Sequence, residues 1–139
     1  MATRRMAREL ALQALFSVEI GHREPAEVLD ETFAHAGSSS AQRIFIKDLV
    51  YGTLEYAQES DRTVEPLLQG WTIERLPTID RLLLRMSLFE FHHRPQTPRP
   101  VIINEAVELA KKFSTEDSGR FVNGVLSSAT NHQPENDGR

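Results

Sequence analysis

An all-α fold of about seven helices is predicted by three features of this 139-residue chain. Apolar residues recur at three- and four-residue spacing through nearly every segment, the period of a helix face. Nowhere do apolar and polar residues alternate with the period of two that a half-buried strand needs. The periodic segments are separated by short punctuation: Gly21, Gly37-Ser38-Ser39-Ser40, Gly70-Trp71-Thr72, and the proline-rich run from Arg94 to Pro100.

The first helix is expected from about Thr3, a candidate N-cap, to Ile20, with Gly21 as a stop. Ala7, Leu10, Ala11, Ala14, Leu15 and Val18 form its main apolar face, and Leu12 and Phe16 a second stripe. A second helix begins near Pro25 and carries Val28, Leu29 and Phe33. Ser39 and Gln42 have capping-box spacing and open a third, with Ile44, Phe45, Leu49 and Leu54 as its apolar residues. Ser60 is a candidate cap for a short helix over 64–68, and Thr78, after Pro77, for a helix over 79–92. That last helix has one apolar stripe of Ile79, Leu82, Leu83, Met86 and Phe89 and another of Leu84, Leu88 and Phe91. A helix apolar on most sides is surrounded by neighbours, which places it in the middle of the C-terminal half. Asp80, Arg81, Arg85, Ser87 and Glu90 are what it leaves for solvent, a partner or buried pairing. Arg81 and Arg85, one turn apart, are each placed to pair with an acid.

Pro100 precedes a sixth helix, where its missing N–H costs nothing. Ile103, Ala106, Val107 and Ala110 share one face, widened by Ile102, Leu109 and Phe113. Ser114 and Asp117 have the spacing of a capping box before a seventh helix, which carries Val122, Val125, Leu126 and Ala129. Asn123 and Gly124 lower helix propensity there. Gly124 reads as a place of close helix packing and Asn123 as a structural polar contact. The polar residues 131–139 read as a frayed tail.

Composition excludes several function classes. With no cysteine there is no disulfide, thiolate zinc site or cysteine nucleophile, which fits a reducing cytoplasm. No apolar run approaches the ~20 residues of a membrane span. The arginine-bearing N-terminus lacks a signal-type apolar region, because Glu9 and Gln13 interrupt it. His22, His35, His92, His93 and His132 lack paired metal-ligand spacing. Asp80 and Glu90 show no acid–base pairing, and the glycines are too scattered to cradle a phosphate. The serines at 38–40 have no histidine partner. The expectation is a protein without catalysis, metal or cofactor.

A net charge of −4 argues against nonspecific nucleic-acid binding, so any such site must be a local basic patch. Arg4, Arg5 and Arg8 stand against Glu9 alone at the start of the chain, whereas Glu24, Glu27, Asp30 and Glu31 cluster without a base among them. The cationic end and the acidic second helix suit different partners. Arginines in a first turn oppose the helix dipole, which hints at an anionic ligand, although they also solvate a helix start. Phe121 lies one position off its helix's main stripe, as an edge-of-core aromatic or a ring on which a base stacks, worth ~1–3 kcal/mol. Asp117 is either a helix N-terminal acid or an acceptor for base amino groups.

Wording adds what periodicity cannot. Asn104-Glu105-Ala106, Ala110-Lys111 and Phe121-Val122-Asn123-Gly124-Val125-Leu126, at these distances, closely resemble the C-terminal half of the NusB family. Arg4-Arg5-Met6-Ala7-Arg8-Glu9 with Ala11-Leu12-Gln13-Ala14-Leu15-Phe16 resembles its basic first helix, and Asp80-Arg81-Leu82-Leu83-Leu84-Arg85 with Leu88-Phe89-Glu90-Phe91 its central helix. The resemblance spans the chain except residues 21–40 and the last few. It implies one domain over 1–139, made of two small helical bundles packed together, about 3–69 and 72–132, with a tail at 133–139.

The resemblance also implies a cytoplasmic transcription antitermination factor that binds the single-stranded boxA element of nascent ribosomal RNA together with NusE. The pair would join the elongating RNA polymerase complex. It assigns Arg4, Arg5, Arg8, Asp117 and Phe121 to the RNA face and places the NusE contact along the helix of Asp80, Arg81 and Arg85. Monomer and homodimer are both open for the free protein. Met6 interrupts the family's arginine run, and Phe16 and Leu67 stand where relatives often have tyrosine, so those hydroxyl contacts are not carried over. Two other readings share these features: an RNA-recruiting domain of a ribosomal-RNA methylation system, and a helical protein–protein adaptor with no RNA role.

Overall fold

The structure, a computed structural model, describes residues 3–36 and 39–131. These form seven α-helices and two 3₁₀ turns, with no strand among the described residues. The chain divides into two compact units, Met1–Tyr56 and Ala57–Arg139. The helix after Tyr56 belongs to the second unit, where its Asp61 pairs with Arg85.

The first unit holds α1 (Arg4–Gly21), α2 (Pro25–Ala36) and α3 (Ser40–Glu55). Thr3 caps α1, its Oγ1 accepting the Met6 N–H at 3.1 Å. The helix closes at His22, whose φ of 53° is left-handed, with its N–H donated to the Val18 carbonyl. The stop therefore falls one residue beyond Gly21. Ser39 caps α3 by accepting the Gln42 N–H at 3.2 Å. Ala7, Ala11, Leu12, Ala14 and Leu15 of α1 are buried with Val28 and Leu29 of α2 and Phe45, Ile46, Leu49 and Val50 of α3. The three alanines let the α1 backbone come close to its neighbours, and burying each large apolar side chain stabilises by ~1.5–3 kcal/mol.

One expectation for this unit is corrected. Ile44 is 69% exposed rather than in the core, and Phe16 and Leu54 are also exposed. Ile44, Phe45 and Ile46 are consecutive, and at 100° per residue only two of three neighbours can face the same core. The acidic run of α2, which has no base within residues 24–31, is paired from just outside it. Arg23, just before it, donates to both Glu31 carboxylate oxygens at 2.9 and 2.6 Å and lies 3.7 Å from Glu27.

The second unit holds α4 (Ala57–Val64), the 3₁₀ turns Glu65–Leu67 and Ile73–Arg75, α5 (Thr78–His93), α6 (Arg99–Phe113) and α7 (Glu116–Asn131). As its pattern predicts, α5 is central, packed by α4, α6 and α7 and burying apolar residues from Leu82 to Phe91 on several sides. Ile102, Ala106, Leu109 and Ala110 of α6 and Val122, Val125, Leu126 and Ala129 of α7 complete the core.

Three expected caps are displaced. Ser60 lies inside α4, fully buried, and caps nothing. Thr78 makes no side-chain cap; α5 starts after Pro77, whose carbonyl accepts the Arg81 N–H at 3.0 Å. At α7 the cap is Thr115, whose Oγ1 accepts the Ser118 N–H at 2.9 Å, one residue later than the Ser114–Asp117 box. Ser114 is drawn instead into a hydroxyl contact with Ser118 at 2.8 Å. Gly124 is exposed, with open space where a Cβ would sit, so it serves no close packing; Asn123 is exposed beside it. The close approach belongs to Gly119, where an added Cβ would lie 2.8 Å from Lys111 Cγ on α6. His132, the 133–139 tail, Gly37 and Ser38 lie outside the described residues.

Candidate nucleic-acid interface

In the first unit, the capped start of α1 presents Arg4 and Arg5 to solvent. Arg4 lies over the face of Phe45 with its guanidinium carbon 3.9 Å from the ring centre. Such a cation–π contact, worth ~0.5–1 kcal/mol when exposed, holds the side chain in place without neutralising it. Arg8 is different. It is only 6% exposed, on the core side of α1, with its guanidinium 5.4 Å from the same ring. The expectation that Arg8 offers its charge at the surface is corrected: the helix phase that buries Ala7 and Ala11 carries Arg8 inward too.

In the second unit, Asp117 and Phe121 sit one turn apart on α7, as their spacing requires. The Asp117 side chain is 87% exposed and pairs with the Arg120 guanidinium. Phe121 is half-buried, midway between an edge-of-core ring and a free one. Phe121 and Arg120 line a surface hollow of about 410 Å³ together with Leu67, Trp71 and Gly124. Nothing in the sequence singles out Arg120 for this place. Trp71 is legible there as punctuation only, because Gln69-Gly70 before it marks a turn. In the structure Gln69 has φ 52° and Gly70 φ 97°, and Trp71 leaves this turn with its ring exposed.

The residues expected to meet a protein partner are occupied within this unit. Asp80 is only 3% exposed. Its Oδ2 accepts from Ser118 Oγ at 3.0 Å, while its Oδ1 is buried without a hydrogen bond. With the Ser118 proton directed at Asp80, the Ser114 hydroxyl donates to Ser118 Oγ at 2.8 Å and Thr115 Oγ1 donates to it at 3.3 Å. Burial raises the Asp80 pKa, and the serine hydroxyls offset this only in part. Arg85 grips Asp61 with two parallel bonds, Nε to Oδ1 at 2.9 Å and Nη2 to Oδ2 at 2.8 Å. Arg81 is half-buried and donates to the Leu76 carbonyl at 3.3 Å. The expected charged surface around Asp80 is therefore corrected. Asp80 tethers the first turn of α7 by bonding inward to Ser118, not outward.

At the far end of α5, burial together with the nearby Arg99 and His93 charges lowers the His92 pKa, and the His93 ring stacks on Phe89 with centres 4.7 Å apart. Among the described residues no group of three or more His, Asp or Glu side chains is placed to hold a metal ion. No described helix is long and apolar enough to cross a membrane.

Comparison with known proteins agrees with this architecture over nearly all of the described residues. The model of the NusB family matches residues 5–131. Transcription antitermination protein NusB of Desulforamulus reducens is 39% identical over 132 residues, covering 95% of this chain and 92% of that protein. Its counterpart from Geobacter sulfurreducens is 40% identical over 136 residues, covering 97% and 99%. Among solved structures, T. maritima NusB superposes with a TM-score of 0.88 at 29% identity, covering 96% of this chain and 95% of that one. A chain from the antitermination factors NusB and NusE in complex with dsRNA gives 0.83 at 26% identity, covering 93% and 96%. A family model spanning nearly every described residue, with relatives of similar length at this identity, leaves one conclusion: the chain belongs to the NusB family.

Proposed function

We propose that this protein is a transcription antitermination factor that, with NusE, binds the single-stranded boxA element of nascent ribosomal RNA and joins the elongating RNA polymerase complex. Membership of the NusB family over residues 5–131 carries this reading. The fold shared with a NusB chain solved alongside NusE and RNA supports it. The protein acts by binding, without a catalytic step, in the cytoplasm where polymerase works.

Arg4 and Arg5 are the phosphate contacts in this reading. They are exposed, and one of them is braced on Phe45, so little side-chain freedom is lost on binding. Asp117 and Phe121 act on the bases: the carboxylate repels phosphate but accepts from base amino groups, and the ring offers a stacking face. Asp80 fixes the first turn of α7, and with it Asp117 and Phe121, through Ser118. Its contribution to partner binding is indirect.

The test is a gel shift with boxA RNA, run with and without purified NusE. The reading predicts a shifted band that strengthens when NusE is added, and no such band with a scrambled single strand. RNA mobility unchanged in both lanes would defeat it.

A further inference from the structure

The chain's single tryptophan is 58% exposed. Leaving so large an apolar surface in water forgoes a stabilisation that folding normally takes. The backbone holds it out. Gln69 and Gly70 are both in the left-handed region, and the Trp71 N–H is donated to the Leu68 carbonyl at 3.2 Å, closing the turn. For Gln69 that conformation is itself costly, of the kind that persists where its surroundings enforce it and that clusters at ligand sites.

Trp71 and Phe121 line the same hollow of about 410 Å³, and Gly124 keeps it open, since no atom lies within 4 Å of where its Cβ would be. The polar groups around the opening are of mixed kind: the Arg120 guanidinium, the Gln69 amide and, one turn away, the Asp117 carboxylate. A base edge, which carries donors and acceptors together, suits such a rim. A phosphate does not, because Glu116 and Asp117 both stand in the first turn of α7.

We infer that Trp71 is a second stacking surface and that the hollow it shares with Phe121 takes one unpaired nucleobase of single-stranded RNA. Trp71 supplies the broad face and Phe121 the other wall, while Arg120 and Gln69 hydrogen-bond the base edge. This rests on the antitermination reading above and adds to it a residue and a subsite. Duplex RNA, whose bases remain stacked on one another, cannot offer a base to the hollow.

Because Trp71 is the only tryptophan, its intrinsic fluorescence reports on this place alone. The experiment titrates the full chain, with and without NusE, with an unlabelled single-stranded boxA oligonucleotide and with its duplex, and measures affinity in parallel for Trp71→Ala and Trp71→Phe. The single strand should quench Trp71 and the duplex should not. Trp71→Ala should weaken single-strand binding about 5- to 150-fold, the range that ~1–3 kcal/mol of stacking per base gives. Trp71→Phe should restore most of the loss, and both variants should melt as the parent does. Unchanged fluorescence with undiminished binding by Trp71→Ala would overturn the inference while leaving the antitermination reading intact. Quenching by NusE without RNA, with RNA affinity unaffected by the substitution, would give the hollow to the protein partner and overturn it too. Failure of the unsubstituted protein to bind RNA in any arm would overturn both.

Discussion

At residue scale, Asp80 is the most informative side chain, because its burial sets a sign. Its pKa in the folded protein lies above the ordinary 3.8. Between the two values the folded state keeps a proton that the unfolded chain has released, so stability falls as pH rises through that window. Most carboxylates in folded proteins act in the opposite sense. Asp80→Asn removes the buried charge and keeps an acceptor for Ser118. Thermal melts across pH should show the variant more stable than the parent above the window, with the difference shrinking as pH falls below it. A variant less stable at neutral pH would mean that the charge itself holds α7 in place. His92 has the more usual effect: with its pKa lowered, acidification below about 6.5 favours the unfolded chain, which takes up the proton more readily.

At the scale of elements, the two glycines of α7 should behave oppositely. Gly124→Ala meets nothing and gains helix propensity, so it should stabilise by about 0.5–1 kcal/mol. Gly119→Ala drives a Cβ into Lys111 and should destabilise by on the order of 1 kcal/mol despite the same propensity gain. Denaturant unfolding of the two variants side by side checks the contrast. Likewise Asp61→Ala should loosen α4 from α5, costing on the order of 1–3 kcal/mol, with most of that loss already present in Arg85→Ala when the pair is compared by a double-mutant cycle.

What sequence can and cannot show is also clearest among the elements. The short helix expected over 64–68 lies instead over Ala57–Val64, with a 3₁₀ turn at Glu65–Leu67 after it. The other six helices, the central place of α5 and the Thr3 and Ser39 caps are legible, because each depends on residues within a turn or two of one another. The glycine roles in α7 are not. Gly119 and Gly124 look alike in one dimension, and only the path of α6 decides which is crowded. The choice between Ser114 and Thr115 as cap is not decided by spacing either, and the bond from Ser118 to Asp80, 38 residues away, has no local signature. The same long-range bond removes Asp80 from the surface to which its helix-start position assigns it. Of the candidate site, wording singles out Asp117 and Phe121 as expectations; the hollow beside Phe121 and the exposed Trp71 on it are not legible, because exposure of an aromatic has no signature in spacing.

For the whole molecule, the uneven charge matters more than its net value of −4. A modest basic patch on an acidic protein gives an interaction that salt weakens readily. Removing one phosphate-binding side chain should lower the slope of log affinity against log salt by ~0.7 for a single strand. Arg4→Ala with Arg5→Ala should thus lower the slope by up to ~1.4, whereas Arg8→Ala, whose side chain is covered, should act on stability instead. Equal slopes for the double variant and the parent would move the phosphate contacts elsewhere.

Everything proposed for this surface depends on an α7 ring reading single-stranded RNA. The decisive measurement is an equilibrium titration of boxA RNA against the protein paired with NusE, comparing the parent with Phe121→Ala. The expected outcome is a variant that melts cooperatively near the parent's temperature and binds RNA about 5- to 150-fold more weakly, the equivalent of ~1–3 kcal/mol. Undiminished RNA affinity, or a stability loss on the core scale of ~3–5 kcal/mol, would contradict it and return Phe121 to the hydrophobic core.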